Sequence, residues 1–445
     1  MPRFFGTDGV RGLALSELTV QMAEVLGHTA VSALGLCLLI GRDTRLSSPA
    51  LEAGLVTGIT AAGGRALLAG VIPTPAIALL TREYQADGGV VISASHNPPE
   101  YNGIKFFDSQ GYKLTKQVES VFEAALQAMP SINSPVVDTA LSKCGEDLPD
   151  ATERYIAHAV NTLRNQGLNL NGLKIVVDCA NGAAYRTTPE AFRRLGAEVV
   201  TINTSTDGAS INVGCGSTNL SCLQAAVLEH TADLGFAHDG DADRVIAVDA
   251  FGSVVDGDFI KAICAVDLKQ QGRLTDDTVV TTVMANLGFF QSMARNGIKV
   301  KTTAVGDSKV LSAMLEGGYT LGGEQSGHVI FLEHNTTGDG LISALQLMAA
   351  IKRLGQPLHE LATVMRKYPQ VLVNIEVNNK EKIASSVRLQ AAAQAAQDEL
   401  AGEGRVLLRP SGTEPLFRVM VEASDVAQAE AIAKRLSAMV SEVDE

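Results

Sequence analysis

Three carboxylates stand at alternate positions in Asp239-Gly240-Asp241-Ala242-Asp243-Arg244, directly after the apolar run Leu234 to Ala237. On extended backbone such residues project to one side, about 6 to 7 Å between successive ones, and without a cation they would repel one another. Curving the loop brings their oxygens together around a hard divalent ion, with Mg²⁺ favoured when a phosphate supplies another ligand. Arg244 is then placed to meet a phosphate oxygen. An EF-hand is excluded, because its sixth position needs Gly and its twelfth Glu, where this chain has Arg244 and Ala250. The competing reading is a solvated acidic turn.

Gly88 to Pro99 runs as an apolar strand that delivers Ser93 and Ser95 into a tight Asn97-Pro98-Pro99 turn. A serine at a strand end is well placed to react, although such a hydroxyl also serves as a turn cap. Neighbouring side chains on an extended strand point to opposite faces, so His96 is not automatically a base for Ser95, and a Ser/His/Asp hydrolase is weakly supported. Asn102-Gly103 is expected to turn the chain before Ile104-Lys105-Phe106-Phe107, pairing back as a hairpin that brings Lys105 near Ser95. A surface lysine is the alternative.

Gly322-Gly323-Glu324-Gln325-Ser326-Gly327-His328 offers a carboxylate, an amide, a hydroxyl and an imidazole on flexible backbone. Glu324 can accept hydrogen bonds from adjacent sugar hydroxyls while the glycines let backbone approach the ring. Arg409-Pro410-Ser411-Gly412-Thr413-Glu414-Pro415, with Arg418 beyond it, combines two guanidinium groups, two hydroxyls and turn N–H groups, a pocket suited to a phosphate dianion. Turn chemistry explains Ser-Gly-Thr but not both arginines.

The elements that must hold these loops read as strand, polar loop and helix at Leu36 to Ile40, Lys174 to Val177 and Thr278 to Val283, each able to open an α/β unit. The loops Ala180-Asn181-Gly182 and Ala285-Asn286-Leu287-Gly288 hint at duplication. Pro- and Ser-containing Met129 to Asp150 is a linker candidate. The tail changes character: a strand at Val371 to Val377, a helix from Ser385 to Leu400, strands at Arg405 to Leu408 and Leu416 to Val421, and a last helix make a small α+β domain. The expected fold class is α/β, with domains divided at 1–145, 146–250, 251–367 and 368–445.

A chain of 445 residues exceeds one hydrophobic core. Its 36 Lys plus Arg against 49 Asp plus Glu, net −13, argue against nucleic acid and require any anionic small molecule to find a local basic pocket. No apolar run reaches the length of a membrane span and the start lacks a signal core, so a cytosolic protein is expected. The 6 cysteines form no Cys-x-x-Cys pair, which suggests neither zinc nor a disulfide framework.

In this order and spacing, the four loops together with Phe5-Gly6-Thr7-Asp8-Gly9-Val10-Arg11-Gly12 resemble the α-D-phosphohexomutase family over nearly the whole chain. The resemblance implies four domains around a central cleft, three of them related mixed-sheet α/β units and a fourth, C-terminal α+β domain that closes on substrate phosphate. It implies Ser95 as a phosphoserine. Asp239, Asp241 and Asp243 would hold Mg²⁺ with a phosphate oxygen on Ser95, and Lys105 and Arg11 would serve proton transfer and charge stabilisation, with His96 and His328 beside them. Arg244, Glu324, Ser326, Arg409, Ser411, Gly412, Thr413 and Arg418 would hold the substrate, a sugar phosphate, with a sugar bisphosphate as intermediate and activator. Gln325 resembles the branch acting on glucosamine phosphates, where glucose and mannose mutases usually carry Met. Three positions depart from the family's usual residues: Ser308-Lys309 for Arg-Tyr, Ala242 for Gly and Ser48 for Gly. The rival readings are a glucose or mannose phosphate mutase, a phosphatase using Asp239 as aspartyl nucleophile, and a non-catalytic sugar-phosphate sensor.

Overall fold

The computed structural model describes residues 4–6, 9–129, 145–411 and 415–444. These group into two compact units, Met1–Met284 with Ile298–Thr363, and Ala285–Gly297 with Val364–Glu445. The first unit contains three sheets. In the first, strands β1 (Val10–Leu13), β2 (Cys37–Arg42), β3 (Arg65–Val71), β4 (Gly88–Ile92), β5 (Tyr101–Asp108) and β6 (Glu146–Asp147) lie in the order β1-β5-β4-β2-β3-β6. In the second, β7 (Lys174–Asp178), β8 (Glu198–Ile202), β9 (Leu234–His238), β10 (Val245–Asp249) and β11 (Val254–Val255) are ordered β11-β10-β9-β7-β8. The third places β12 (Thr278–Thr282), β13 (Lys299–Thr303), β14 (Leu321–Gly323) and β15 (Val329–Phe331) as β13-β12-β14-β15.

All three sheets share one plan that the sequence hinted at only through two similar loops. A parallel core ends in a strand that folds back on an antiparallel neighbour: β4 on β5, β9 on β10, β14 on β15. The Ser95, triple-Asp and Glu324 loops are the three connections between these pairs, so equivalent hairpins supply all three pieces of chemistry. They lie beyond the carboxyl ends of parallel strands, where open α/β sheets present ligand sites. The strands that aim them are mainly apolar, and β4, β9, β10 and β12 are buried at every residue, as in sheets covered on both faces. Helix Gly340–Leu354 is buried from Gly340 to Ile351; Asp339 caps its start by accepting from the Ile342 N–H, and Gly355 at φ 63° ends it.

Asn102-Gly103 is not a turn. The chain reverses within 94–100, and β5 runs straight through both residues, with Gly103 facing Arg11 on β1. Asn102 is held by donating to Ser47 and Ser48 Oγ, and a Cβ on Gly103 would lie 2.6 Å from the Ser93 carbonyl. Asn-Gly here serves close strand packing rather than a hairpin loop. Within the linker candidate, 130–144 lie outside the described residues, while Glu146–Asp147 pairs with β3 and so extends the first sheet. Likewise β11 carries the second sheet past residue 250.

The second unit is an antiparallel sheet, β16 (Gln370–Glu376), β17 (Gly404–Pro410) and β18 (Leu416–Ala423) in the order β16-β18-β17. Phe417, Val419 and Val421 form its core with Ile432, Leu436 and Val440 of the final helix. Helix Leu287–Arg295, which follows β12 in the chain, groups with this unit: Asn286 donates to the Tyr368 carbonyl and to Glu422. Among the described residues no helix is long and apolar enough to cross a membrane.

Candidate active site

Ser95 sits just past β4 with 1 % of its surface exposed and φ at 53°, a left-handed conformation that costs a non-glycine residue about 1–2 kcal/mol. Its Oγ donates to Asp239 Oδ2 at 2.7 Å and its N–H donates to Ser93 Oγ at 2.9 Å. The hydroxyl is therefore aimed at the acidic loop of the second sheet rather than spent on capping its own turn.

The acidic loop folds back through Ala242, whose φ of 57° explains why glycine suits this position. The curvature brings one carboxylate oxygen from each of Asp239, Asp241 and Asp243 within 4.8 Å of the others. Their remaining contacts divide the oxygens between two tasks. Asp241 Oδ2 accepts from Thr74 Oγ1 at 2.6 Å and Lys105 Nζ at 2.8 Å, and Asp243 Oδ2 faces His328 Nδ1 at 3.5 Å. Asp241 Oδ1 and Asp243 Oδ1 are buried without any hydrogen-bond partner. Burial, then repulsion from Asp243 and Asp241, pushes Asp239 well above the usual carboxylate range. Three oxygen donors, two of them orphaned, in a pocket that penalises its own negative charge fit a hard divalent cation.

Cationic side chains surround this pocket. Lys105, 2 % exposed on β5, also reaches within 3.9 Å of Asp243. Arg244 lies about 4 Å from the carboxylates, with Nε 4.0 Å from Asp239 and 3.8 Å from Asp243. Its Nη1 donates to His96 Nδ1 at 2.9 Å, and the same Nδ1 lies 3.4 Å from Ser95 Oγ. Burial, then the charges of Arg244 and Arg11, pull His96 down to about 4, so its ring is neutral at pH 7. Arg11 on β1 is thus close enough to act electrostatically on the same spot. Burial pulls His328 down too, but Asp243 outweighs it and raises the imidazole. Its Nε2 accepts from the Gly338 N–H at 3.1 Å, so the Nδ1–H tautomer serves both neighbours and braces Asp243 from behind.

Glu324 and Ser326 lie on the β14–β15 connection, half-buried and exposed respectively. Glu324 Oε1 accepts from the Gly306 N–H at 3.2 Å, next to the departing Ser308-Lys309 pair. The loop is held from outside: Gly257 N–H donates to the Gln325 carbonyl at 3.1 Å, and fully buried Lys261 donates to the Gly323 carbonyl at 3.0 Å.

In the second unit Arg409 and Arg418 stand directly opposite each other on β17 and β18, and Ser411 is buried beside them. Burial, then the charge of Arg418, lowers Arg409, and its Nε has no hydrogen-bond partner. Two guanidinium groups set side by side on facing strands, one with an unused N–H, suit a bound anion. Gly412 and Thr413, expected to complete it, lie outside the described residues, as do Thr7 and Asp8.

Sequence reasoning missed Asp43, Arg45, Thr74 and Asn212. Arg45 and Asn212 both donate to the Ser95 carbonyl, at 3.0 and 2.9 Å, and Thr74 fixes Asp241. The available signal was the charged triplet Asp43-Thr44-Arg45 at the carboxyl end of a buried strand, a location where α/β sheets place functional groups.

Four family models match this chain: phosphoglucomutase/phosphomannomutase alpha/beta/alpha domain I at residues 2–131, domain II at 153–252, domain III at 256–368 and the C-terminal domain at 372–439. The chain is 51% identical to the phosphoglucosamine mutase of Symbiobacterium thermophilum, covering 100% of this chain and 99% of that one. It is equally 51% identical to the phosphoglucosamine mutase of Thermobifida fusca, over 99% and 98%. Among solved structures, a phosphoglucomutase/phosphomannomutase family protein from Burkholderia thailandensis superimposes with TM-score 0.80 at 23% identity, over 99% and 98% of the two chains. Aspergillus fumigatus N-acetylphosphoglucosamine mutase, solved in complex with GlcNAc-6P and magnesium, gives TM-score 0.74 at 19% identity over 100% and 96%.

Proposed function

The chain belongs to the phosphoglucomutase/phosphomannomutase family, and we propose that it interconverts glucosamine 6-phosphate and glucosamine 1-phosphate through a phosphoserine at Ser95. The observation that carries this reading is the 2.7 Å hydrogen bond from Ser95 Oγ to Asp239, which joins the only strained serine of the first sheet's active loop to the acidic pocket. Full-length relatives at 51% identity carry the same activity in their names, which supports the glucosamine substrate.

In this mechanism phospho-Ser95 donates its phosphoryl group to the free sugar hydroxyl: the Oγ–P bond breaks, a sugar O–P bond forms, and the hydroxyl proton is taken up by the surrounding base. The bisphosphorylated sugar then turns over and returns its other phosphate to Ser95. Asp239, Asp241 and Asp243, with a phosphate oxygen on Ser95, would hold Mg²⁺, which supplies charge neutralisation to the moving group. Lys105 and Arg11 handle the proton and the developing charge, neutral His96 accepts from Arg244 Nη1 and so steadies that guanidinium, and Arg244 meets phosphate oxygen. Glu324 and Ser326 take sugar hydroxyls, and Arg409, Ser411, Gly412, Thr413 and Arg418 grip the phosphate that is not reacting. A division near 145, 250 and 367 follows the same reading, one domain per task, with the first two limits moved past β6 and β11 to take in residues 147 and 255. The test is turnover of purified protein with Mg²⁺ and a trace of sugar bisphosphate on glucosamine, glucose and mannose 6-phosphates. The glucosamine phosphate should give the highest kcat/KM; a higher value on either hexose would reassign the substrate.

Two effects follow. Arg409→Ala removes a charge-assisted phosphate contact worth about 1.5–3 kcal/mol, so KM for the sugar phosphate should rise roughly 10- to 100-fold by that figure. Thermal stability should hold, because a like-charge neighbour of Arg418 is removed; an unchanged KM would show that the phosphate binds elsewhere. Gly240→Ala places a Cβ 2.7 Å from the Ser95 carbonyl and 2.9 Å from Asn212 Nδ2. Ser95 must then shift, and kcat should fall about 10²-fold from misplacement alone. Wild-type kcat would mean that the Ser95 loop tolerates movement.

A further inference from the structure

The Ser95 loop encloses a buried cation of its own. Arg45 follows β2, its side chain is 0% exposed, and it directs all five of its N–H donors inward. Nε donates to Asp43 Oδ2 at 2.9 Å. Nη2 donates to the Ser95 and Asn97 carbonyls at 3.0 and 2.7 Å, and Nη1 to the Pro98 carbonyl and to the Tyr101 carbonyl at 2.8 Å. Four carbonyls from the reversal and the first residue of β5, between Ser95 and Tyr101, therefore converge on one guanidinium. Asp43 closes the ring: its Oδ2 accepts from Ser93 Oγ at 2.6 Å, and Ser93 Oγ in turn accepts from the Ser95 N–H. Asn212 seals the other side by donating to the Ser95 and Asn97 carbonyls at 2.9 and 3.0 Å.

We propose that Arg45 is a positioning residue for phosphoryl transfer: an internal counterion whose fork holds the Ser95 backbone in its left-handed conformation and so keeps Oγ on the line to the acidic pocket. Left-handed backbone at a serine persists only where neighbours over-determine it, and here both peptide groups flanking the Ser95 Cα are fixed, the N–H by the Asp43–Ser93 pair and the carbonyl by Arg45 and Asn212. A lysine cannot replace the fork, because an ammonium has three donors and no planar geometry to span four carbonyls. Among the described residues Arg45 makes no hydrogen bond or ion pair with the acidic loop or the sugar loop, so its effect should fall on the serine and leave sugar binding, and cation binding by the unphosphorylated protein, alone.

The inference rests on Ser95 as phosphoryl carrier, and the experiment separates the two. Arg45→Lys and Asn212→Ala are compared with wild type and Ser95→Ala for kcat, KM, Mg²⁺ affinity and the single-turnover rate at which glucose 1,6-bisphosphate phosphorylates the protein, read by mass spectrometry. Arg45→Lys should slow both kcat and Ser95 phosphorylation about 10²-fold, with KM and the Mg²⁺ affinity of the unphosphorylated protein within about twofold of wild type by the same reasoning, since neither site is touched. Amide exchange at Ser95, His96 and Asn97 should quicken. Asn212→Ala, which removes two of the same carbonyl contacts from a half-buried position, should show a smaller loss of the same kind and decides the matter if Arg45→Lys fails to fold. Wild-type phosphorylation rates in the folded variants, or losses of Mg²⁺ affinity and KM in step with kcat, overturn the positioning role. Phosphorylation that survives Ser95→Ala instead overturns the carrier itself.

Discussion

Ser95→Ala leaves a folded protein that carries no phosphate and turns over sugar phosphates roughly 10⁴-fold or more slowly, on the order of the loss of a catalytic nucleophile. The fold survives because the hydroxyl makes one buried hydrogen bond, to Asp239, worth about 1 kcal/mol. Asp239 keeps its other oxygen on the Arg244 N–H at 3.2 Å. Intact-mass measurement before and after incubation with sugar bisphosphate is the direct check. A variant that still accepts phosphate, or still interconverts the two glucosamine phosphates, would move the chemistry to another residue, with Asp239 as an aspartyl nucleophile the first to test.

The second large effect separates activity from stability. Asp239→Asn should lower turnover about 10²- to 10³-fold, the usual loss when one preorganised charge-stabilising group is removed. Yet the metal-free variant should be at least as stable as metal-free wild type. Two like charges within 4.8 Å repel by about 3 kcal/mol at an effective dielectric near 20, only partly offset by Lys105 and Arg244. In wild type, Mg²⁺ at 100 times its Kd adds about 2.7 kcal/mol of stability by mass action, and this increment should shrink or vanish in the variant. Thermal melts with and without Mg²⁺, beside kcat, settle it. A destabilised metal-free Asp239→Asn, or one with an undiminished Mg²⁺ shift, would mean that the acids are structural and the cation binds elsewhere.

Much of this site was legible in advance because its chemistry is packed into short contiguous loops. Alternating acids, a strand-end serine, a glycine-rich carboxylate turn and a pair of arginines each have a local signature, and the strand-loop-helix runs opening at Leu36, Lys174 and Thr278 implied α/β units. Asn102-Gly103 shows the limit of local reading: the dipeptide favours a turn in isolation, but strand pairing on both sides and the approach of the Ser93 carbonyl turn it into mid-strand residues. Arg45 was passed over for a related reason. Apart from Asp43, its partners lie 50 to 56 residues away and are backbone carbonyls, which carry no side-chain identity to recognise.

By itself the amino-acid order determined which chemical groups exist, the strands that end in them and the family whose motifs they share, because those properties depend on neighbours along the chain. Only the tertiary structure decided that Ser95 meets Asp239 across 144 residues, that Lys105 and Thr74 occupy one oxygen of Asp241 and leave the other to a cation, and that three chemically different loops are the same hairpin in three sheets. The physical reason is distance: carboxylate repulsion, hydrogen-bond saturation and left-handed strain arise from groups a few ångströms apart in space, and residue spacing along a chain does not measure that separation.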